Sequence, residues 1–121
     1  METENLELPI ITFNSLYNIL REEEKTATLN TLPKHFFKAV EIFLKEKKKE
    51  SSSNDSNTKI KNMYHNSVKM YQKLLKVRAK KIAILAVDTL NSKHIEEELV
   101  ENEIEFKQKV IQLFEKTYNY K

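Results

Sequence analysis

Glycine is absent from the whole of this chain, and that absence restricts its fold more than any residue it contains. Tight hairpin turns need positive φ, which glycine adopts without steric cost. Without it the chain has few ways to reverse between adjacent strands, so an all-α fold is expected. Only Pro9 and Pro33 interrupt the backbone's supply of N–H donors, and everything after Pro33 is open to continuous helix.

The stretch Ile60–Leu90 organises the rest. Tyr64, Tyr71, Leu74, Leu75, Ile82 and Leu85 recur at three- and four-residue steps, the spacing of an amphipathic helix. About 30 residues at roughly 1.5 Å each give a long central helix of about 45 Å. Its first part carries Lys59, Lys61, Lys69, Lys73, Lys76 and Lys80 on a polar back. Its second part, Ile82-Ala83-Ile84-Leu85-Ala86-Val87, is apolar on every side, and a helix of that kind is buried all round. A chain of 121 residues supplies too few companion helices to cover it. Ile82, Ala83, Ile84, Ala86 and Val87 are therefore the predicted subunit interface. Ile84, opposite the Tyr71–Leu75–Ile82 stripe, is the best candidate for its centre.

Three further helices are predicted around this one, giving a bundle of about four in a single helical domain over residues 1–121. Residues 1–11 read as an irregular arm, because Pro9 and the β-branched Ile10-Ile11 favour extended backbone. Thr12 is a good N-cap for a helix to about Lys25, with Phe13, Leu16, Tyr17 and Leu20 facing inward. After a polar connection anchored by Leu29, Pro33 fits the first position of a second helix. That helix runs to about Lys49 and buries Phe36, Phe37, Val40, Phe43 and Leu44. Glu50–Thr58 has no apolar side chain and is expected to be a flexible polar loop. Lys93–Glu101 reads equally as short helix or connection. Asn102 and Glu105 have capping-box spacing for a last helix to Tyr118, with Phe106, Val110, Leu113, Phe114 and Thr117 inward.

The chain lacks cysteine, which excludes disulfides and thiolate chemistry and suits a reducing cytoplasm. Its acidic start does not resemble a signal peptide, and its longest apolar run falls far short of the roughly 20 residues that cross a bilayer. Charge is unevenly placed: Lys59–Lys93 holds nine Lys and Arg against Asp88 alone, while residues 1–32 and 94–121 are net acidic. Acidic neighbours can neutralise the central helix within the fold, or its outward cations can meet nucleic acid. Arg78 falls on the apolar face and is expected to pair with an acid such as Glu23. Lys73, Lys76 and Lys80 point outward and are the possible nucleic-acid contacts, to phosphate only and blind to base sequence. His35, His65 and His94 stand about 30 residues apart without ligand spacing, so no metal site is expected. A phosphate-cradling loop requires glycine, and the serines cluster in the polar loop. No catalytic residue and no cofactor emerge.

Some of these residues also carry a family resemblance. Ile19-Leu20-Arg21-Glu22-Glu23, followed by Leu29, Leu32-Pro33, Phe36-Phe37 and Val40, resembles the opening helices of archaeal GINS subunits. Arg78, Lys81-Ile82 and Ala86 resemble that family's R-x-x-K-I-x-x-x-A pattern on its long central helix. His35 and Phe37 depart from it, at positions where an acid and a Tyr are common. The resemblance implies a non-enzymatic replisome subunit that forms a homo- or hetero-tetramer with other GINS subunits and links the MCM helicase to a RecJ-like nuclease. A nucleoid-associated cytoplasmic location goes with that role. The short apolar run leads to no membrane contact. Acidic neighbours, together with the lack of an aromatic platform beside the lysines, lead to at most weak, non-specific DNA binding. The helical part comes first here, as in one of the two subunit classes. The small β domain that would follow is not in this sequence, so the resemblance leads to a helical domain alone. A free-standing nucleic-acid-binding module built on the basic helix is the alternative reading.

Overall fold

The computed structural model describes residues 7–53, 57–88, 90 and 99–118. Among the described residues there are four helices and no strand, an all-α fold. They are α1 (Phe13–Lys25), α2 (Phe36–Ser53), α3 (Thr58–Asp88) and α4 (Glu101–Tyr118).

Local side chains fix where the helices start. Thr12 Oγ1 accepts from the Ser15 amide at 3.0 Å, and Ser15 Oγ accepts in return from the Thr12 amide at 2.8 Å. This is a reciprocal cap with serine in the place usually held by glutamate. Asn57 opens α3 in the same way, its Oδ1 accepting from the Ile60 amide at 3.2 Å.

Three boundaries differ from the sequence expectation. Pro33 does not begin α2. It lies in a turn whose carbonyl accepts from the Phe36 amide at 3.1 Å, and His35 takes a φ of 62°. A left-handed residue cannot continue a right-handed helix, so α2 starts at Phe36. In a chain without glycine, histidine is among the side chains that tolerate this region. At its far end α2 continues through Ser53, past the expected stop at Lys49. Once a helix exists, each added residue gains a hydrogen bond without a new nucleus. Lys47 Nζ meets Glu50 Oε1 at 3.4 Å, and Ser53 Oγ donates to the Lys49 carbonyl at 2.9 Å. The expected flexible loop at Glu50–Thr58 is therefore helical at both ends, and residues 54–56 lie outside the described residues. The last helix starts at Glu101, not Glu103, with Val100 in the cap position. The Val100 amide donates to Glu103 Oε1 at 3.3 Å, so Asn102 and Glu105 are not the capping pair. The ambiguous Lys93–Glu101 stretch lies outside the described residues up to 98. Leu99 and Val100 are non-helical, and the N-terminal arm is described only from residue 7, without regular structure.

The expected single domain groups into two compact units, Met1–Arg21 with Pro33–Lys73, and Glu22–Leu32 with Leu74–Lys121. In the first unit the core is conventional. Leu16 and Leu20 of α1 are buried, as are Phe36, Ala39, Val40 and Phe43 of α2, each large one contributing about 1.5–3 kcal/mol. Phe36 and Phe37 meet edge to face at 5.5 Å, and Phe37 lies 6.3 Å from Tyr71. Phe37 and Leu44 are half-buried, and Tyr17, expected inside, is exposed with its hydroxyl accepting from Arg21 Nη1 at 2.6 Å. Ser67, buried on α3, satisfies its hydroxyl on the Met63 carbonyl at 2.8 Å, the back-bond open to serine in a helix.

The second unit is different. Leu32, Leu74, Ile82, Ala86 and Leu99 are buried there, and so are Glu23, Arg78, Glu103 and Lys107. On α4 the inward face carries Glu103 and Lys107, while Phe106 and Leu113, expected inside, are exposed, as is Thr117. Val110 and Phe114 are half-buried.

Candidate functional site: a buried ion cluster and two exposed helix faces

Glu23 sits seven residues after Leu16 and three after Leu20, so helical geometry turns it inward with them. It has no exposed surface, and neither has Arg78 of α3. Arg78 Nη1 donates to Glu23 Oε1 at 2.7 Å and to the Asn30 carbonyl at 2.7 Å. Its Nε and Nη2 donate to Glu103 Oε2 and Oε1 at 2.7 and 2.8 Å. Lys81, one turn further along α3, donates from Nζ to Glu23 Oε2 at 2.6 Å. The same ammonium reaches the carbonyls of Glu23 and Thr28 at 2.7 and 2.8 Å. Glu23 Oε2 also accepts from the Asn30 amide at 3.3 Å.

The cluster thus sets two cations against two carboxylates and ties the connection after α1 to α3 and to the first turn of α4. Burying a charge costs several kcal/mol unless it is paired and hydrogen-bonded, and here each nitrogen of the guanidinium is engaged. Burial alone would lower the pKa of Arg78. The hydrogen bonds and negative charge of Glu103, and then of Glu23, outweigh that effect and raise it above the ordinary arginine value. The arrangement fastens backbone segments and leaves no open position on Arg78 for a substrate. No group of three or more His, Asp or Glu residues that would hold a metal occurs among the described residues. His35 lies in its turn, His65 is exposed beside Tyr64, and His94 lies outside the described residues.

The Arg78–Glu23 pair expected from sequence is present. Glu103 and Asn30 were not anticipated. The signal for Glu103 was its i,i+4 spacing to Lys107, followed by Val110 and Phe114 on the same side. Phe106 and Leu113 made the opposite side of α4 look like the inner one.

The predicted interface residues divide. Ile82 and Ala86 are core positions, 1% and 0% exposed, and offer no surface to a partner, a correction to the sequence reading. A helix apolar all round is here covered on one side only. Ile84 is 62% and Val87 40% exposed, while Ala83 is half-buried. Ile84 and Leu85 border an open groove of about 520 Å³ together with Thr28, Leu29, Lys81 and Asp88. Lys73, Lys76 and Lys80 are all exposed on α3. No described helix is long and apolar enough to cross a membrane. In comparisons with known proteins, no family model, no curated protein and no solved structure matches this chain.

Proposed function

We propose that this chain is a non-enzymatic scaffold subunit of the archaeal GINS type. Its helical domain assembles with copies of itself or with paralogous subunits and links the MCM helicase to a RecJ-like partner in DNA replication. The observation that carries this reading is a convergence. Glu23 comes from the Leu20-Arg21-Glu22-Glu23 stretch, and Arg78 and Lys81 come from the stretch that resembles the family's central helix. Across 55 and 58 residues of chain they form one buried ion cluster. The stretches that carry the resemblance thus share one buried cluster, which supports the reading. The exposed Ile84 and Val87 add support, since large exposed apolar side chains on a charged chain suit an assembly surface.

The experiment is a mass measurement by light scattering, on the chain alone and mixed with candidate paralogues. Dimers or tetramers are expected, and Ile84→Glu should shift them to monomer while the circular dichroism stays helical. A wild-type chain that remains monomeric at high concentration with every candidate paralogue overturns the proposal.

A further inference from the structure

We propose that the outer face of α4 pairs antiparallel with α4 of a second copy of this chain, about a two-fold axis passing between Lys109 and Val110. All of α4 lies in the second unit, and the inference does not rest on the scaffold reading.

Because α4 turns Glu103 and Lys107 inward, Phe106 and Leu113 are left 40% and 65% exposed. They stand seven residues apart, two turns of helix, and so share one side. Asn102 and Thr117, also exposed, extend the row by four residues at either end. From one end the row reads polar, apolar, apolar, polar, and it reads the same from the other. An isologous contact needs such a self-complementary patch. With a second copy turned end for end, Phe106 of each chain covers Leu113 of the other, and Asn102 meets Thr117 of the second copy.

Charge selects the occupant. One flank of the row carries Glu105, Lys109 and Lys116, all exposed. A two-fold axis across the helices brings this flank against the same flank of the second copy. Glu105 and Lys116 lie on opposite sides of that axis, so each Glu105 comes beside Lys116 of the second copy. Within one chain they are eleven residues apart, about 16 Å along the helix, and cannot pair. A parallel arrangement would instead set the flank against the side that holds Glu103 and Lys107, which are buried. A uniformly anionic partner would oppose Glu105, and a uniformly basic one would oppose Lys109 and Lys116.

Lys109 sets a limit on the strength of the pair. It meets its own counterpart near the axis, and like charges there oppose pairing, although Glu105 Oε2 of the same helix stands 3.2 Å from its Nζ. With two large apolar side chains per copy, the contact is also smaller than a standard interface. The pair is therefore weak, with an expected dissociation constant of about 0.1–1 mM.

The test is sedimentation equilibrium of the full chain carrying Ile84→Glu, up to about 2 mM. That substitution removes association through the other exposed face, so the two readings fail separately. A monomer–dimer equilibrium is expected. Adding Leu113→Glu should weaken it at least about tenfold, the effect of losing one buried leucine. Glu105→Lys and Lys116→Glu should each weaken it about two- to fivefold, and the two together should restore it. Lys109→Gln should tighten it. In the wild-type background, Lys109→Cys gives an otherwise cysteine-free chain one thiol near the axis. Mild oxidation should then join two chains, and Leu113→Glu should prevent the link; this arm carries the test if Ile84→Glu disturbs folding. Monomer at every concentration, a Leu113→Glu chain that pairs as before, or a double exchange no stronger than the single ones overturns the proposal. So does a Lys109→Cys chain that stays unlinked. Assembly that depends on Ile84 would stand through each of these results, since none of them touches that face.

Discussion

Arg78 and Glu103 face each other through two parallel hydrogen bonds of 2.7 and 2.8 Å, with both side chains buried. Lysine keeps the charge of arginine but has a single point donor, so it cannot reproduce this fork or hold Glu23 at the same time. Arg78→Lys should therefore cost about 3–5 kcal/mol, the scale for breaking a buried pair from one side. Denaturant unfolding monitored by circular dichroism measures it. A midpoint like that of the wild type would show that the cluster is not a source of stability.

Ile82 and Ile84 are two residues apart and should respond oppositely to the same change. Glutamate at position 82 would place an unpaired charge where 1% of the side chain is exposed, whereas position 84 is 62% exposed. Ile82→Glu is expected to unfold the chain at room temperature. Ile84→Glu should alter monomer stability by less than about 0.5 kcal/mol, as for ordinary surface changes. Thermal melts of the two variants side by side decide the matter, and unfolding of the Ile84 variant would put that residue in the core.

His35 holds a positive φ of 62°, a conformation that costs a non-glycine residue about 1–2 kcal/mol. His35→Gly removes that strain but adds freedom to the unfolded chain. The net expectation is a gain of about 0.5–1 kcal/mol, read as a rise in the denaturant midpoint at unchanged slope. A loss would mean that the imidazole makes a contribution larger than the strain.

Asn57 caps α3 through the Ile60 amide. Asn57→Ala should lower stability by about 1 kcal/mol, whereas Asn57→Ser should be nearly silent. Equal stability of the alanine variant would return this position to the class of dispensable linker residues.

The helices were legible in the sequence because their signals are local. Thr12 caps α1, and the three- and four-residue steps of Leu16, Leu20, Phe36, Val40 and Phe43 match the buried faces. The α2 boundaries were not. Proline preference pointed to position 33, but the turn that precedes the helix needs a left-handed residue, and nothing in the identity of His35 announces one. The polar run after Lys49 looked like a loop because it buries nothing, yet extending an existing helix requires no burial. The ion cluster was half legible. Arg78 on an apolar stripe demanded a carboxylate, and Glu23 lay on the inner face of its own helix. Glu103 escaped because α4 reverses the usual rule, turning Glu103 and Lys107 inward and Phe106 and Leu113 outward. A pattern argument that assigns apolar residues to the interior cannot see such a helix.

An interior fastened by a guanidinium also sets how the second unit responds to heat. Unfolding exposes charged surface there as well as aliphatic surface, and polar exposure subtracts from the heat-capacity change that apolar exposure adds. The stability of that unit should therefore curve less with temperature than that of the leucine- and phenylalanine-filled first unit. The hydration that competes for a buried charge also weakens on warming. The Arg78 cluster thus loses less of its advantage in hot solution than in cold, and the two units need not share one temperature of greatest stability.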